Sequence, residues 1–162
     1  MKKLFFCILA VSMLVSCNSD DDNSAVNGVS TLTVNNIPFE IGRSADNVTT
    51  KFYNEFQSRV FFISNGKMND SWSGSAISFS IHYAAGQTSA TGIYTIDEFD
   101  NYGYYLMGDY GVQFVSGTVS ITELGNDIYK IVFTDLITDS HSTSPSPDIT
   151  VQGSFEGSFK QN

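Results

Sequence analysis

The chain has few of the residues on which most catalytic and metal sites depend. It contains two cysteines, Cys7 and Cys17, and two histidines, His82 and His141. Because both cysteines lie within the first 17 residues, the remainder offers no thiol for a disulfide, a nucleophile or a zinc site. Any globular part must therefore be held together by its core alone.

Basic residues are also scarce. The chain has 8 Lys and Arg against 17 Asp and Glu, which gives a formal net charge of −9. This balance argues against nucleic acid as a partner, because binding to phosphates requires clustered basic side chains. No glycine-rich loop is followed by Lys and Ser or Thr, and no Gly-x-Ser-x-Gly elbow is present, so phosphate-binding and hydrolase signatures are both missing.

The apolar run near the start of the chain is too short to span a bilayer comfortably. Lys2 and Lys3 precede an apolar run of twelve residues, Leu4 to Val15. A basic start followed by an apolar core of this length is typical of a signal peptide. The sequence therefore predicts that residues 1–16 are removed during export.

Leu14, Val15 and Ser16 lead directly to Cys17. These residues resemble the lipobox of bacterial lipoproteins, in which an aliphatic and two small residues precede a cysteine. The resemblance implies that Cys17 carries a diacylglycerol thioether and an acylated amine, and that the chain is held on a membrane by them. Each buried CH₂ contributes roughly 0.8 kcal/mol, so two or three acyl chains anchor far more firmly than one. An ordinary secretory signal with a chance cysteine is the alternative.

An acidic run follows the cysteine at Ser19, Asp20, Asp21 and Asp22. It resembles the export signal of surface lipoproteins in the Bacteroidota, and this resemblance implies a position on the outer face of the outer membrane. The alternative is a solvated linker that keeps the domain off the lipid. Without residues 1–16 the chain has 146 residues and a formal net charge of −11. We therefore predict a tether over 17–28 and a single domain over 29–162.

Alternation of apolar and polar residues dominates the chain after residue 29. In the segment 149–159 the residues of one parity are apolar or glycine and the others are polar, and the segment 76–83 behaves in the same way. This period of two predicts strands with one buried face. The predicted core residues are Ile77, Phe79, Ile81, Tyr83, Ile149, Val151, Phe155 and Phe159.

Turn signals separate the predicted strands. Asn35-Asn36 and the Leu124 to Asp127 cluster favour tight hairpins. The sequence therefore predicts an all-β fold, an antiparallel β-sandwich or barrel of roughly eight to ten strands. Val48, Phe52 and Phe56 follow a helical spacing behind Asp46 and Asn47 as caps, but the same residues could form a strand.

The segment from about residue 91 to 159 contains a Gly-x-Tyr strand, a Gly-Thr-Val hairpin and a final Gly-x-Phe strand. This order resembles a loose pattern in small uncharacterised lipoproteins of the Bacteroidota. Its motifs are structural, so the resemblance supports the fold and implies no site.

Carboxylates cluster at Asp97, Glu98 and Asp100. With Asn101 and loop carbonyls they offer the hard oxygen ligands that calcium prefers, so calcium is the one cofactor that the sequence suggests. The spacing matches no calcium loop. The competing interpretation is a polar turn that bends the chain before Gly103.

Aromatic residues are the richest candidate for binding. Tyr102, Tyr104, Tyr105 and Tyr110 place four of the eight tyrosines within nine residues, and Trp72 has the parity of the polar face of its predicted strand. Tyrosine and tryptophan combine a flat apolar ring with a polar group, which suits stacking on a sugar or holding a peptide. These rings could instead pack over the edges of the sheet.

Three functions remain open from the sequence. The favoured one is a non-catalytic, lipid-anchored module at the cell surface that binds a glycan or peptide, and the second is an interaction protein that docks another envelope protein. A hydrolase with scattered carboxylates ranks third, since neither histidine has an evident catalytic partner in the sequence.

Overall fold

A computed structural model describes residues 28–66, 74–97, 99–108, 110–139 and 148–162. The predicted signal peptide, Cys17 and the acidic run lie outside these residues, as do Trp72, Glu98 and His141. Twelve strands and one short 3₁₀ helix form in the described part of the chain. The strands are β1 Gly28–Ser30, β2 Thr33–Val34, β3 Ile37–Pro38, β4 Val48–Tyr53, β5 Ser58–Ser64, β6 Ser75–His82, β7 Gly92–Thr95, β8 Tyr102–Met107, β9 Tyr110–Gly125, β10 Ile128–Thr138, β11 Thr150–Ser158 and β12 Lys160–Gln161.

The strands join into one open sheet with the order β12-β4-β5-β6-β8-β9-β10-β11-β2-β3. β9 is the longest strand, with 16 residues. Its first part pairs with β8, and its later part lies between β7 and β10. β9 therefore connects a first half of the sheet, built from β4, β5, β6 and β8, to a second half built from β10 and β11.

The core lies between these two halves. The Phe61 ring stacks on Phe79 of the neighbouring strand and meets the Tyr129 ring of β10 edge to face, with centroids 5.1 and 5.2 Å away respectively. Phe79 meets Phe133 of β10 in the same edge-to-face way, at 5.5 Å. The sheet is thus bent so that one face of each half contacts the other, and the opposite faces look outward.

The predicted alternation is confirmed on both β6 and β11. Ile77, Phe79 and Ile81 are buried in one strand, and Val151 and Phe155 in the other, with Ile149 and Phe159 buried at the ends of β11. Both predicted hairpins are also present. Asn35 and Asn36 have φ values of 52° and 62°, and Asn126 and Asp127 have 52° and 59°. Two consecutive residues in the left-handed region are what a two-residue turn between right-twisted strands requires.

Three details of the predicted fold are corrected. The twelve strands exceed the expected eight to ten, and three of them, β2, β3 and β12, contain only two residues each. The sheet is mixed rather than antiparallel, since β12 runs parallel to β4. The hydrogen-bonded path also stays open between β12 and β3, so the described strands do not close into a ring.

The segment with helical spacing forms a strand. Only Ala45–Asn47 is helical, as one 3₁₀ turn, and Val48 then begins β4. The cap is Ser44 instead of the predicted Asp46 or Asn47. The Ser44 hydroxyl accepts from the Asp46 amide at 3.3 Å, and the Asn47 side chain accepts from the Ser44 amide at 3.1 Å.

Candidate functional site

The outward face of the first half of the sheet carries a cluster of rings around small hydroxyl residues. The strand register places Val60, Ser80 and Tyr102 in one row across β5, β6 and β8. The next row contains Phe62, Ser78 and Tyr104, and His82 follows Ser80 on the same side of β6. We call these seven residues the tyrosine face.

From its register and residue sizes, we infer that the tyrosine face forms a shallow trough, with small serines between two rows of larger side chains. Its floor is the serine row of β6, because Ser78 and Ser80 are too short to rise above the strand. One wall is formed by Tyr102 and Tyr104, whose rings meet edge to face at 6.2 Å. Val60 and Phe62 of β5 form the other wall, and both are half-buried. Such a trough can hold a flat or ring-shaped group between aromatic sides.

The Ser80 hydroxyl is the polar group at the bottom of this trough. Ser80 is only 3% exposed. Among the described residues, its Oγ is the one buried side-chain oxygen or nitrogen without a hydrogen-bond partner. Leaving a buried hydroxyl unpaired costs roughly 1–3 kcal/mol. Because Oγ is closed off from solvent, a ligand can bond to it only when the surrounding side chains move apart, and such a bond would remove this cost.

A cavity of about 360 Å³ continues the trough towards β4. Val60 and Phe62 separate the two. The remaining lining comes from Thr49, Thr50, Lys51 and Tyr53 of β4 and from Asp46 and Asn162 outside that strand. The Lys51 ammonium lies 5.2 Å from the centroid of the Tyr53 ring. The binding surface can therefore extend across four strands.

The predicted aromatic residues do not all lie on this surface. Tyr102 and Tyr104 share the tyrosine face, whereas Tyr105 is 8% exposed and packs in the core, opposite Ile77. Tyr110 begins β9 and pairs with Met107. Its side chain therefore lies on the same face of the sheet as that of Tyr105, opposite to the face of Tyr104. Trp72 lies outside the described residues. The surface role predicted for Tyr105 therefore does not fit its position.

Two members of the predicted carboxylate cluster, Asp97 and Asp100, lie in a polar turn. The Asp97 carboxylate accepts hydrogen bonds from the amides of Phe99 and Asp100, both at 2.8 Å, and these bonds lower the pKa of Asp97. The Asp100 carbonyl oxygen contacts Nδ1 of His82. Within the described ranges, which omit Glu98, no group of three or more His, Cys, Asp or Glu side chains could hold a metal ion.

Several residues of the surface were not found from the sequence. Val60 and Phe62 carry no motif, and their closeness to Ser80 depends on strand register. The parity of Ser78, Ser80 and His82 did predict that β6 has a polar face. The sequence feature that could have indicated the trough is the presence of small residues at three alternate positions on that face, Ala76, Ser78 and Ser80.

Comparisons with known proteins add no assignment, since no protein family, no curated protein and no solved structure matches the chain. Among the described residues, no helix is both long enough and apolar enough to cross a membrane.

Proposed function

We propose that the protein is a non-catalytic binding module, lipid-anchored through Cys17 on the outer membrane and exposed at the cell surface, whose tyrosine face binds a glycan. The observation that carries the binding proposal is the unpaired Ser80 hydroxyl between the tyrosine wall and the Phe62 wall. Aromatic rings stack on the apolar faces of sugar rings, and the Ser80 hydroxyl becomes available to a sugar hydroxyl when the side chains around it move apart.

The position of the trough favours a glycan over a peptide. β6 pairs with β5 on one side and with β8 on the other, so it has no free backbone edge. Peptides that add a strand to a sheet need such an edge. Charge points the same way, because none of the seven residues of the tyrosine face is Asp, Glu, Lys or Arg, in a chain with 25 such residues. Uncharged hydroxyl-rich ligands match this surface best.

The glycan proposal is tested with the protein purified in detergent and applied to an immobilised glycan panel. Tyr102→Ser with Tyr104→Ser should weaken binding at least tenfold, about 1.4 kcal/mol, because both stacking rings are removed. Thr122→Ser on the exposed face of β9 is the matched control and should bind like the wild type. Equal binding by the double variant, with unchanged melting, would show that the tyrosine face is not the site.

The anchor is tested separately. Cys17→Ser should abolish labelling by a clickable fatty acid and release the protein from the membrane fraction, since no thioether can form. Replacing Asp20, Asp21 and Asp22 with alanine should keep the label but reduce protease access on intact cells. Persistent labelling of the first variant would refute lipidation, and unchanged protease access of the second would make the acidic run a spacer.

Docking of another envelope protein is the second candidate function. It is favoured by β7, whose only strand partner in the described structure is β9. Ile93 in the middle of β7 is 77% exposed. A free edge with an exposed apolar side chain suits pairing with a strand of another protein. An Ile93→Lys variant that loses partners in a crosslinked membrane extract, while retaining glycan binding, would support this function.

A further inference from the structure

A second cavity opens at one end of the core, where the β4–β5 turn meets the β6–β7 loop. Its volume is about 260 Å³. It lies on the core side of the sheet, because Arg59 in its wall is two residues from the buried Phe61 on β5 and therefore faces the same side. A volume below the usual range for drug-sized ligands suits one small molecule or one terminal group. The lining residues are Phe52, Asn54, Gln57, Arg59, Tyr83, Gln87 and Thr88.

Arg59 supplies the only formal charge in the lining of this cavity. Its Nε donates to the Tyr83 hydroxyl at 3.1 Å, and Nη1 donates to the Tyr129 hydroxyl at 2.8 Å. The guanidinium carbon also lies 5.6 Å from the Phe52 ring centroid and 5.8 Å from that of Tyr129. Two hydrogen bonds and two aromatic faces thus fix the plane of the guanidinium group.

The guanidinium group of Arg59 is held in place but has no salt-bridge partner among the described residues. A guanidinium group has five N–H donors, and only two of them have acceptors among the described residues. No carboxylate of the described chain forms a salt bridge with Arg59. Burial raises the pKa of both Tyr83 and Tyr129, although Arg59 opposes this rise. The two tyrosines are therefore neutral hydroxyls that position Arg59 without cancelling its charge.

We propose that this cavity binds the carboxylate group of a small hydroxylated or amide-bearing molecule, with Arg59 as its anchor. The free edge of a guanidinium fork matches the two oxygens of a carboxylate. Asn54 and Thr88 on the exposed rim supply amide and hydroxyl groups for the rest of the molecule. Sugar acids and N-acylated amino acids both have this chemistry.

One negative charge fits this cavity better than two. The single guanidinium group balances one carboxylate. Glu123 adds a negative charge near the cavity, because it contributes to the raised pKa of Tyr83 and of Tyr129. Its carboxylate is held against the β6–β7 loop by the Ser89 hydroxyl at 2.9 Å and the Ala90 amide at 3.1 Å. A phosphate dianion is therefore disfavoured relative to a monocarboxylate.

The test uses the full chain purified in detergent and titrated with four probes: sodium glucuronate, N-acetylglycine, glucose and inorganic phosphate. Isotope-labelled NMR follows the Arg59 Nε–H resonance, and calorimetry measures the Kd. We expect glucuronate or N-acetylglycine to shift this resonance and to bind at least tenfold more tightly than glucose and phosphate. Binding of glucuronate alone identifies a sugar-acid site, and binding of N-acetylglycine alone identifies a site for N-acylated amino acids.

Thr88→Glu is the decisive variant, because Arg59 also supports the fold and its replacement could unfold the protein. A carboxylate at the exposed rim should weaken binding at least tenfold without changing the melting temperature. Thr122→Glu on β9 adds the same charge outside the cavity and should bind like the wild type. The proposal is overturned if neither acid shifts the Arg59 resonance, if glucose or phosphate binds as tightly, or if Thr88→Glu binds normally. The tyrosine face can retain or lose its glycan independently of each of these results.

Discussion

The outward faces of the two halves of the sheet differ although their inward faces are alike. The second half shows a conventional outer face, where Lys130 and Glu156 form a salt bridge of 3.4 Å and Thr122 and Thr134 are exposed. The outward face of the first half instead carries aromatic rings and the buried, unpaired hydroxyl of Ser80. A sheet needs only a polar outer face to fold. The second half meets that need without such features, which is why we assign those of the first half to the proposed binding site.

The largest expected effect separates the two sides of β8. Tyr105→Ala should lower the free energy of unfolding by about 3–5 kcal/mol, because it leaves a cavity in the core. Tyr104→Ala should lower it by less than about 1 kcal/mol, because that ring is partly solvated on the outer face. Chemical denaturation of the two variants measures both values. Similar losses would mean that Tyr104 is also a packing residue, and the comparison of the two faces would fail.

Removing one serine hydroxyl from each half should have a smaller effect on the free energy of unfolding, with opposite signs in the two halves. Ser80→Ala should raise the free energy of unfolding by about 1 kcal/mol, because it removes a buried hydroxyl that has no partner. Ser154→Ala should lower it by about 1 kcal/mol, because the Ser154 hydroxyl is hydrogen-bonded to that of Thr31 at 3.0 Å. The same denaturation experiment measures both. A loss of stability in Ser80→Ala would show that its hydroxyl is satisfied in the unliganded protein.

The smallest effect concerns the salt bridge of the second half. Lys130→Ala should lower the free energy of unfolding by roughly 0.5 kcal/mol at low salt, because both side chains are about half exposed. The loss should shrink further at high ionic strength, since mobile ions screen exposed charges. Glu156→Ala provides the reciprocal measurement. A loss that is large and independent of salt would mean that this outer face contributes more to folding than a solvated surface does.

The sequence was most informative where structure depends on neighbours along the chain. Alternation identified the buried residues of β6 and β11, because the period of a strand is local. The Asn35-Asn36 turn was equally readable, since asparagine tolerates the left-handed region. The same period places the adjacent Tyr104 and Tyr105 on opposite faces of β8.

The candidate sites depended on pairing between distant segments, and periodicity carries no information about such pairing. The trough exists because β6 lies between β5 and β8, which brings Ser80 beside Val60 and Tyr102. The Arg59 cavity requires a bond between residues 70 positions apart. An arginine within a strand gave no sign that its partners would be tyrosine hydroxyls rather than a carboxylate.

The strand partners of β11 and β12 have a consequence for how the chain acquires its structure. β11 pairs with β1, and the hydroxyls of Thr31 and Ser154 meet across 123 positions of sequence. β12 likewise supplies the parallel neighbour of β4. Contacts between such distant segments slow folding, because a long loop must close before they form. In a chain that emerges N-terminus first, β4, β5 and β6 are exposed long before β11 and β12 have emerged. The native sheet is therefore completed late, after its final strands have emerged, which suits the proposed export of a chain that is still unfolded.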